Sequence, residues 1–238
     1  MAPVVNEREI LIAERQNAGT AWTKNDFFEK NGYLVIKDLW DADELYHPVP
    51  EVRGQYTWWG DKADQYSHLE TEQQVEGSLA RYWHPQYRYI HTGIRLKLEE
   101  ALGRKLYNTY YYDRFYFPGQ ELHKHCDRPA CEISVTVHIS TTLSEPWPIW
   151  IKTPDAYTDK KKSSVLIPGH HSSVILNAGD GMVYKGCERP HWREPMPTEY
   201  GTKWFRKVEK EGLYYHQIFF HYVLQDGQRT FAAFDMGR

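Results

Sequence analysis

The spacing of apolar residues changes near Leu106. Before that point the pattern predicts mostly helices. Asn6 to Gln16 carries Ile10, Leu11 and Ala13 on one face, and Thr23-Lys24-Asn25-Asp26 reads as a cap before a short helix through Phe27 and Phe28, closed by Asn31-Gly32. A strand is expected over Tyr33 to Lys37, and a helix from Asp41 to Leu45 that Pro48 and Pro50 stop. Glu70 to Trp83 and Ile94 to Leu102 are further expected helices. Beyond Leu106 the apolar runs are short, β-rich and split by Gly, Pro and Asp turns. They cover Leu106 to Phe117, Glu132 to Ser140, Ile149 to Thr153, Ser163 to Ile167, Ser172 to Asn177, Gly181 to Tyr184 and Leu213 to Leu224. Many short strands with turns between them imply a sandwich or jelly roll. Thr158 to Lys162 reads as a solvated loop. The expected organisation is one domain over 1–238: mostly helical support in 1–105, a β core in 106–224 and a tail in 225–238.

Composition narrows this picture. The 18 Tyr, 9 Trp and 9 Phe suit a pleated, half-buried surface or an aromatic-lined pocket. A net charge of -3 lacks the basic excess of a nucleic-acid binder, so no nucleic-acid partner is expected. Cys126, Cys131 and Cys187 are odd in number and form no CxxC pair, which speaks against a disulfide scaffold or zinc knuckle. Free thiols, a start without a basic apolar leader and no apolar run near the ~18 residues of a span predict a soluble, cytoplasmic protein without a membrane partner.

The chemistry concentrates in Gly119-Gln120-Glu121-Leu122-His123-Lys124-His125-Cys126-Asp127. On a strand, residues two apart share a face, so His125 and Asp127 could offer an imidazole and a carboxylate to one ion. His191, which follows the turn Gly179-Asp180-Gly181 and the apolar run Met182-Val183-Tyr184, is the third expected ligand. Two histidines and one carboxylate with open positions are the donor set of non-haem Fe(II) oxygenases. A His-x-Asp pair by itself also fits ordinary surface hydrogen bonds. His123 could compete as a ligand but brings no carboxylate; His216 and His221 have opposite strand parity, so at most one faces the pocket.

Two further stretches decide between these readings. Asn25 to Lys37 (Asn-Asp-Phe-Phe-Glu-Lys-Asn-Gly-Tyr-Leu-Val-Ile-Lys) resembles the N-terminal part of phytanoyl-CoA and prolyl hydroxylase-like oxygenases, and Tyr116-Phe117-Pro118-Gly119-Gln120 before His125-x-Asp127 resembles the prolyl hydroxylase motif Tyr-x-x-Gly-Gln-x-x-x-x-His-x-Asp. The resemblance implies a mainly β chain with flanking helices: a double-stranded β-helix (jelly roll, cupin-like) with a helical N-terminal part and iron at one open end. It implies Fe(II), 2-oxoglutarate as cosubstrate, dioxygen as oxidant and ascorbate as a supporting reductant.

In that family a basic residue grips the distal carboxylate of 2-oxoglutarate about ten residues past the distal histidine. Here position 201 is Gly. Lys203 lies in Gly201-Thr202-Lys203-Trp204, similar to the prolyl hydroxylase Gly-x-Lys-Trp, but the charged stretch after it reads as an excursion. Arg193 shares strand parity with His191 and is preferred, with a surface cation as the alternative for each and His216 as the next candidate. Tyr116 matches the family's oxoglutarate-contacting tyrosine, and Tyr112 and Thr136 are pocket candidates on flanking strands. The expected activity is Fe(II)- and 2-oxoglutarate-dependent hydroxylation of an unactivated C–H bond, on a peptidyl-prolyl residue or, as the alternative, on a small molecule as in phytanoyl-CoA relatives. A catalytically silent binding module is the third reading.

Overall fold

The computed structural model describes residues 4–6, 24–49, 74–158, 165–233 and 235. The helix expected over Asn6 to Gln16 and most of the loop at Thr158 to Lys162 lie outside these residues. The strands in chain order are β1 (Val4–Asn6), β2 (Tyr33–Ile36), β3 (Leu79–Tyr82), β4 (Leu106–Tyr116), β5 (Leu122–His125), β6 (Ile133–Thr141), β7 (Ile149–Lys152), β8 (Ala156–Thr158), β9 (Val165–Ile167), β10 (His171–Val174), β11 (Gly181–Tyr184), β12 (His191–Arg193), β13 (Tyr200–Lys203), β14 (Arg206–Glu209) and β15 (Tyr215–Leu224). The helices are α1 (Lys24–Asn31), α2 (Ala42–Leu45) and α3 (Arg88–Leu102).

Two sheets carry the fold: six strands in the order β2-β11-β6-β15-β4-β3 and five in the order β1-β10-β7-β12-β5. From β4 onward most successive strands alternate between the two sheets, so strands far apart in sequence become neighbours, which makes a jelly roll. Between their bulges, β4, β6 and β15 alternate. On β4, Tyr111, Asp113 and Phe115 turn outward, while Tyr110, Tyr112, Arg114 and Tyr116 turn toward the other sheet. β15 follows the same rule: His216 stacks on Phe115 outside, and Gln217 reaches the Tyr116 hydroxyl inside. β-Bulges in the pairing of β15, between His216 and Gln217 and between Phe220 and Tyr222, interrupt the ladders locally.

α3 covers the outer face of the larger sheet. Ile90, Ile94, Leu98 and Leu102 recur at helical spacing and are buried. Gly103 ends it with φ +64°, in the left-handed region where glycine carries no Cβ penalty. The helix starts at Arg88, earlier than expected, because His91 is a core residue there: its Nε2 lies 3.1 Å from the His221 carbonyl and its ring stacks on Phe220.

The expected helix over Glu70 to Trp83 is not present in its described part. Leu79–Tyr82 is instead an edge strand on β4. Arg81 mimicked a helix's polar face, but it is fully buried and paired with Asp113, which also accepts from His216 Nε2 at 2.7 Å. Among the described residues the N-terminal part therefore contributes three edge strands, β1, β2 and β3, as well as helices.

β13 and β14 form a separate hairpin that pairs with no other strand among the described residues. Its turn residues, Trp204 and Phe205, both have positive φ, +51° and +63°. That conformation costs an L-residue roughly 1–2 kcal/mol.

Candidate metal centre

β12 sits between β7 and β5, and its first residue, His191, pairs directly with His125 at the end of β5. Asp127 lies two residues past that strand end, so strand parity is not what brings it in. Its N–H donates to the Gly186 carbonyl at 2.9 Å, which folds the carboxylate back toward both imidazoles. Asp127 Oδ1 lies 3.4 Å from His125 Nε2 and 3.5 Å from His191 Nε2, and the two rings are 4.4 Å apart. The three donor atoms all fall within 4.8 Å of one another.

The far side of each group is fixed by the backbone. His125 Nδ1 is 2.7 Å from the His123 carbonyl, and His191 Nδ1 is 3.0 Å from the Arg189 carbonyl. A carbonyl only accepts, so each Nδ1 carries the proton and each Nε2 keeps its lone pair for the shared point. Such outer partners hold ligating imidazoles in one tautomer. Asp127 Oδ2 accepts from the Ser134 hydroxyl at 2.9 Å, leaving Oδ1 to face the histidines. Burial works against the Asp127 charge, but His191 and His125 outweigh it and hold the carboxyl well below its usual range. His191 is almost fully enclosed, while the His125 side chain is 22% exposed, so the centre opens on the His125 side.

Close approach also shapes this site. A Cβ at Gly186 would lie 2.3 Å from the Cys131 carbonyl and 2.4 Å from Asp127 Oδ2, so only glycine fits. Asp127, Cys131 and His221 form a second cluster with ligand spacing. The Ser134 hydroxyl lies within it, bonding Asp127 and 2.9 Å from His221 Nδ1, and a hydrogen-bonded hydroxyl accounts for that cluster without an ion.

Further along β12 lies Arg193, 1% exposed. It donates to the Trp147 carbonyl at 2.6 Å, the Gln217 Oε1 at 2.6 Å and the Tyr215 hydroxyl at 3.2 Å, and its guanidinium lies over the Trp147 and Tyr215 rings. All three acceptors are neutral, and its Nε is buried with no partner among the described residues. A buried cation held only by neutral groups is costly unless an anion joins it. Gln217 Nε2 donates in turn to the Tyr116 hydroxyl at 3.3 Å, which also accepts from Arg114 at 3.4 Å. Two donors point at that oxygen, so its own proton is left for an acceptor. Thr136 Oγ1 and His138 Nε2 are also buried on the inner face with no partners among the described residues.

The remaining expected residues separate clearly. Tyr112 is inside but packed ring to ring with Tyr82 and Phe219, at 4.8 and 4.7 Å. Lys203 lies on the exposed β13–β14 hairpin, away from the inner face. His216 faces outward onto Asp113, whereas His221 faces inward onto Ser134. His123 is 75% exposed beside Glu121. Sequence reasoning missed Ser134, Gly186, Gln217, Tyr215 and Trp147. Strand parity on β15 could have signalled Tyr215 and Gln217; nothing local marks the other three.

No protein-family model matches the sequence, and no curated protein matches it. Solved structures do. The chain is similar to HygX from Streptomyces hygroscopicus with nickel and 2-oxoglutarate bound (TM-score 0.53, 10% identity, 87% of this chain and 89% of that one). It is similar to an oxidoreductase of the 2OG-Fe(II) oxygenase family from Burkholderia pseudomallei (TM-score 0.51, 10% identity, 84% and 87%). It is also similar to EctD from S. alaskensis with 2-oxoglutarate and 5-hydroxyectoine (TM-score 0.50, 15% identity, 86% and 79%). At these identities the likeness is one of architecture: the chain has the jelly-roll fold of the 2-oxoglutarate and iron oxygenases.

Proposed function

We propose that this protein is an Fe(II)- and 2-oxoglutarate-dependent dioxygenase that hydroxylates an unactivated C–H bond. The observation that carries the reading is the convergence of His125 Nε2, Asp127 Oδ1 and His191 Nε2, with both Nδ1 protons tied to backbone carbonyls. A bis-imidazole, single-carboxylate set suits Fe(II) and leaves coordination positions open. The fit extends to the cosubstrate, because Arg193 is a buried cation with neutral partners and an orphaned N–H on the strand that carries His191. When bound, the metal and the oxoacid supply oxidative decarboxylation with dioxygen, giving succinate, carbon dioxide and hydroxylated product.

The chain's own residues divide the remaining work. His125, Asp127 and His191 hold the ion on one side, and Ser134 orients the carboxylate. Arg193 meets the distal carboxylate of the oxoacid through a charge-assisted contact, and Tyr116 adds its free O–H. Gln217 links the two, so Arg193 and Tyr116 are positioned together. Thr136 Oγ1 is a further buried donor on the same inner face. Tyr82, Tyr112 and Phe219 stack ring on ring as an aromatic group on that face.

For the substrate, the Tyr116-to-Asp127 motif supports a peptidyl-prolyl residue. The small-molecule reading draws on HygX, also solved with hygromycin B bound, and EctD with 5-hydroxyectoine. The test of the class is anaerobic titration of 2-oxoglutarate into Fe(II)-loaded protein, followed by succinate detection on admitting oxygen. A metal-to-ligand absorption band and slow succinate release are expected. Absence of 2-oxoglutarate binding at millimolar concentration overturns the reading in favour of a silent binding module. Proline peptides and small amino acids, compared for stimulated succinate release, separate the two substrate classes.

A further inference from the structure

The β13–β14 hairpin carries two aromatic side chains fully into solvent at its tip: Trp204 is 86% exposed and Phe205 101%. Tyr200 and Val208 lower on the same hairpin are exposed as well. A two-residue hairpin turn with positive φ at both positions favours Asn-Gly, because those residues reach the left-handed region at least cost. This chain places its two bulkiest apolar residue types there instead. Folding gains nothing from them, since neither is buried. Strain retained at an exposed position points to a use outside the fold.

The charges around the tip define what that use is. Lys203, Arg206 and Lys207 flank the aromatic pair, and the stretch 203–207 contains no carboxylate. Acidic residues occur only toward the base, where Glu199 pairs with Lys210 and accepts from the Ser144 N–H and hydroxyl. Those bonds fasten the base to the loop after β6, so the tip is presented on a fixed stalk. Both rings stand out from the tip into solvent, which suits their insertion into a soft apolar layer.

We propose that this tip is a peripheral docking element for an anionic lipid surface, with Trp204 and Phe205 entering the headgroup region and Lys203, Arg206 and Lys207 meeting lipid phosphates and carboxylates. Aromatic side chains favour the membrane–water interface, and clustered cations are drawn to anionic leaflets. Among the described residues no helix is long and apolar enough to cross a membrane, and a surface contact needs none. The hairpin leaves the barrel near Thr141 and Tyr214, whereas Ser134 at the other end of β6 bonds Asp127. Seven residues of strand at ~3.3 Å each separate those ends by roughly 23 Å. Docking by the tip therefore leaves the candidate metal centre free.

The experiment is co-sedimentation of the full chain with vesicles of phosphatidylcholine alone and of phosphatidylcholine with phosphatidylserine. The expected result is binding to the second only, weakened by high salt. W204N/F205G should lower the partition coefficient by about tenfold or more, as should K203E/R206E/K207E. The first variant installs the preferred turn residues, so its thermal stability should be unchanged or higher, which excludes misfolding as the cause. No sedimentation with anionic vesicles, or equal sedimentation of W204N/F205G, overturns the proposal. Salt-insensitive binding to both vesicle types also overturns it, and a tip that captures an acidic protein while ignoring vesicles is a protein-docking element instead.

Discussion

Asp127 makes three kinds of contact at once: two imidazoles on Oδ1, a hydroxyl on Oδ2 and a backbone carbonyl on its N–H. Replacing His125, Asp127 or His191 with alanine is expected to abolish tight Mn(II) binding, read by anaerobic calorimetry. Ser134→Ala should be milder. Loss of an outer partner usually costs about 10- to 100-fold in metal affinity. It also leaves His221 Nδ1 without its partner, so the melting temperature should fall. Wild-type affinity in Ser134→Ala would remove that hydroxyl from the centre. Arg193 and Lys203 make a second residue-scale contrast. A charge-assisted pair contributes roughly 1.5–3 kcal/mol. Arg193→Met should therefore raise the 2-oxoglutarate dissociation constant about ten- to a hundredfold. Lys203→Met, on the exposed hairpin, should leave it unchanged. The reverse outcome would transfer the clamp to Lys203.

Elements meet closely at the turn after β11. Gly186 gives its carbonyl to Asp127 and its N–H to the Glu132 carbonyl, joining that turn to the segment between β5 and β6. Gly186→Ala forces a methyl group against the Cys131 carbonyl and Asp127 Oδ2. Overpacking of this kind costs about 1–3 kcal/mol. The expected outcome is a lower melting temperature together with much weaker Mn(II) binding. A variant with normal metal affinity would mean that the loop relaxes without moving the carboxylate. The same scale explains β3. Arg81 and Asp113 face each other across the β3–β4 ladder, and a cation buried against a partner reads in sequence like a cation in solvent.

Across the whole molecule, several histidines are folded into the interior as neutral rings. Burial pushes His91 down to about 3, and His138 and His216 down to about 4, against their hydrogen bonds. The folded values lie below the unfolded value of 6.5. The unfolded chain therefore binds more protons between those limits, and stability falls as pH drops through that window. Each histidine contributes a slope of about 1.4 kcal/mol per pH unit while it is protonated only in the unfolded state. Urea midpoints should be flat above pH 7, fall steeply from pH 6.5 to about 4, more gently to about 3 where only His91 still contributes, and level off below for these groups. His91→Gln should soften the slope even if it lowers the midpoint. A midpoint independent of pH across that window would contradict neutral burial.

Local rules made much of this protein legible in its sequence. Alternating apolar residues, with turn residues between them, outlined β4, β6, β7, β11 and β15 to within a residue or two, because strand pairing and burial both follow a two-residue period. The pattern at Asp41 to Leu45 gave a helix whose cap is Asp41, its carboxylate accepting from the Asp43 N–H. The candidate ligands were named from residue type, an assumed strand parity and the resemblance of the flanking motifs. What the sequence left open depends on contacts between distant segments. Arg193 and Lys203 are equally cationic in a string; only the sheet buries one against Trp147, Tyr215 and Gln217 and leaves the other on a hairpin. His216 and His221 both lie on β15, and the faces of the folded sheet set one against Asp113 and the other against Ser134. Ser134 and Gly186 are ordinary residues until the turn after β11 closes over Asp127. Periodicity is a property of neighbours along the chain, and a binding site is a property of neighbours in space.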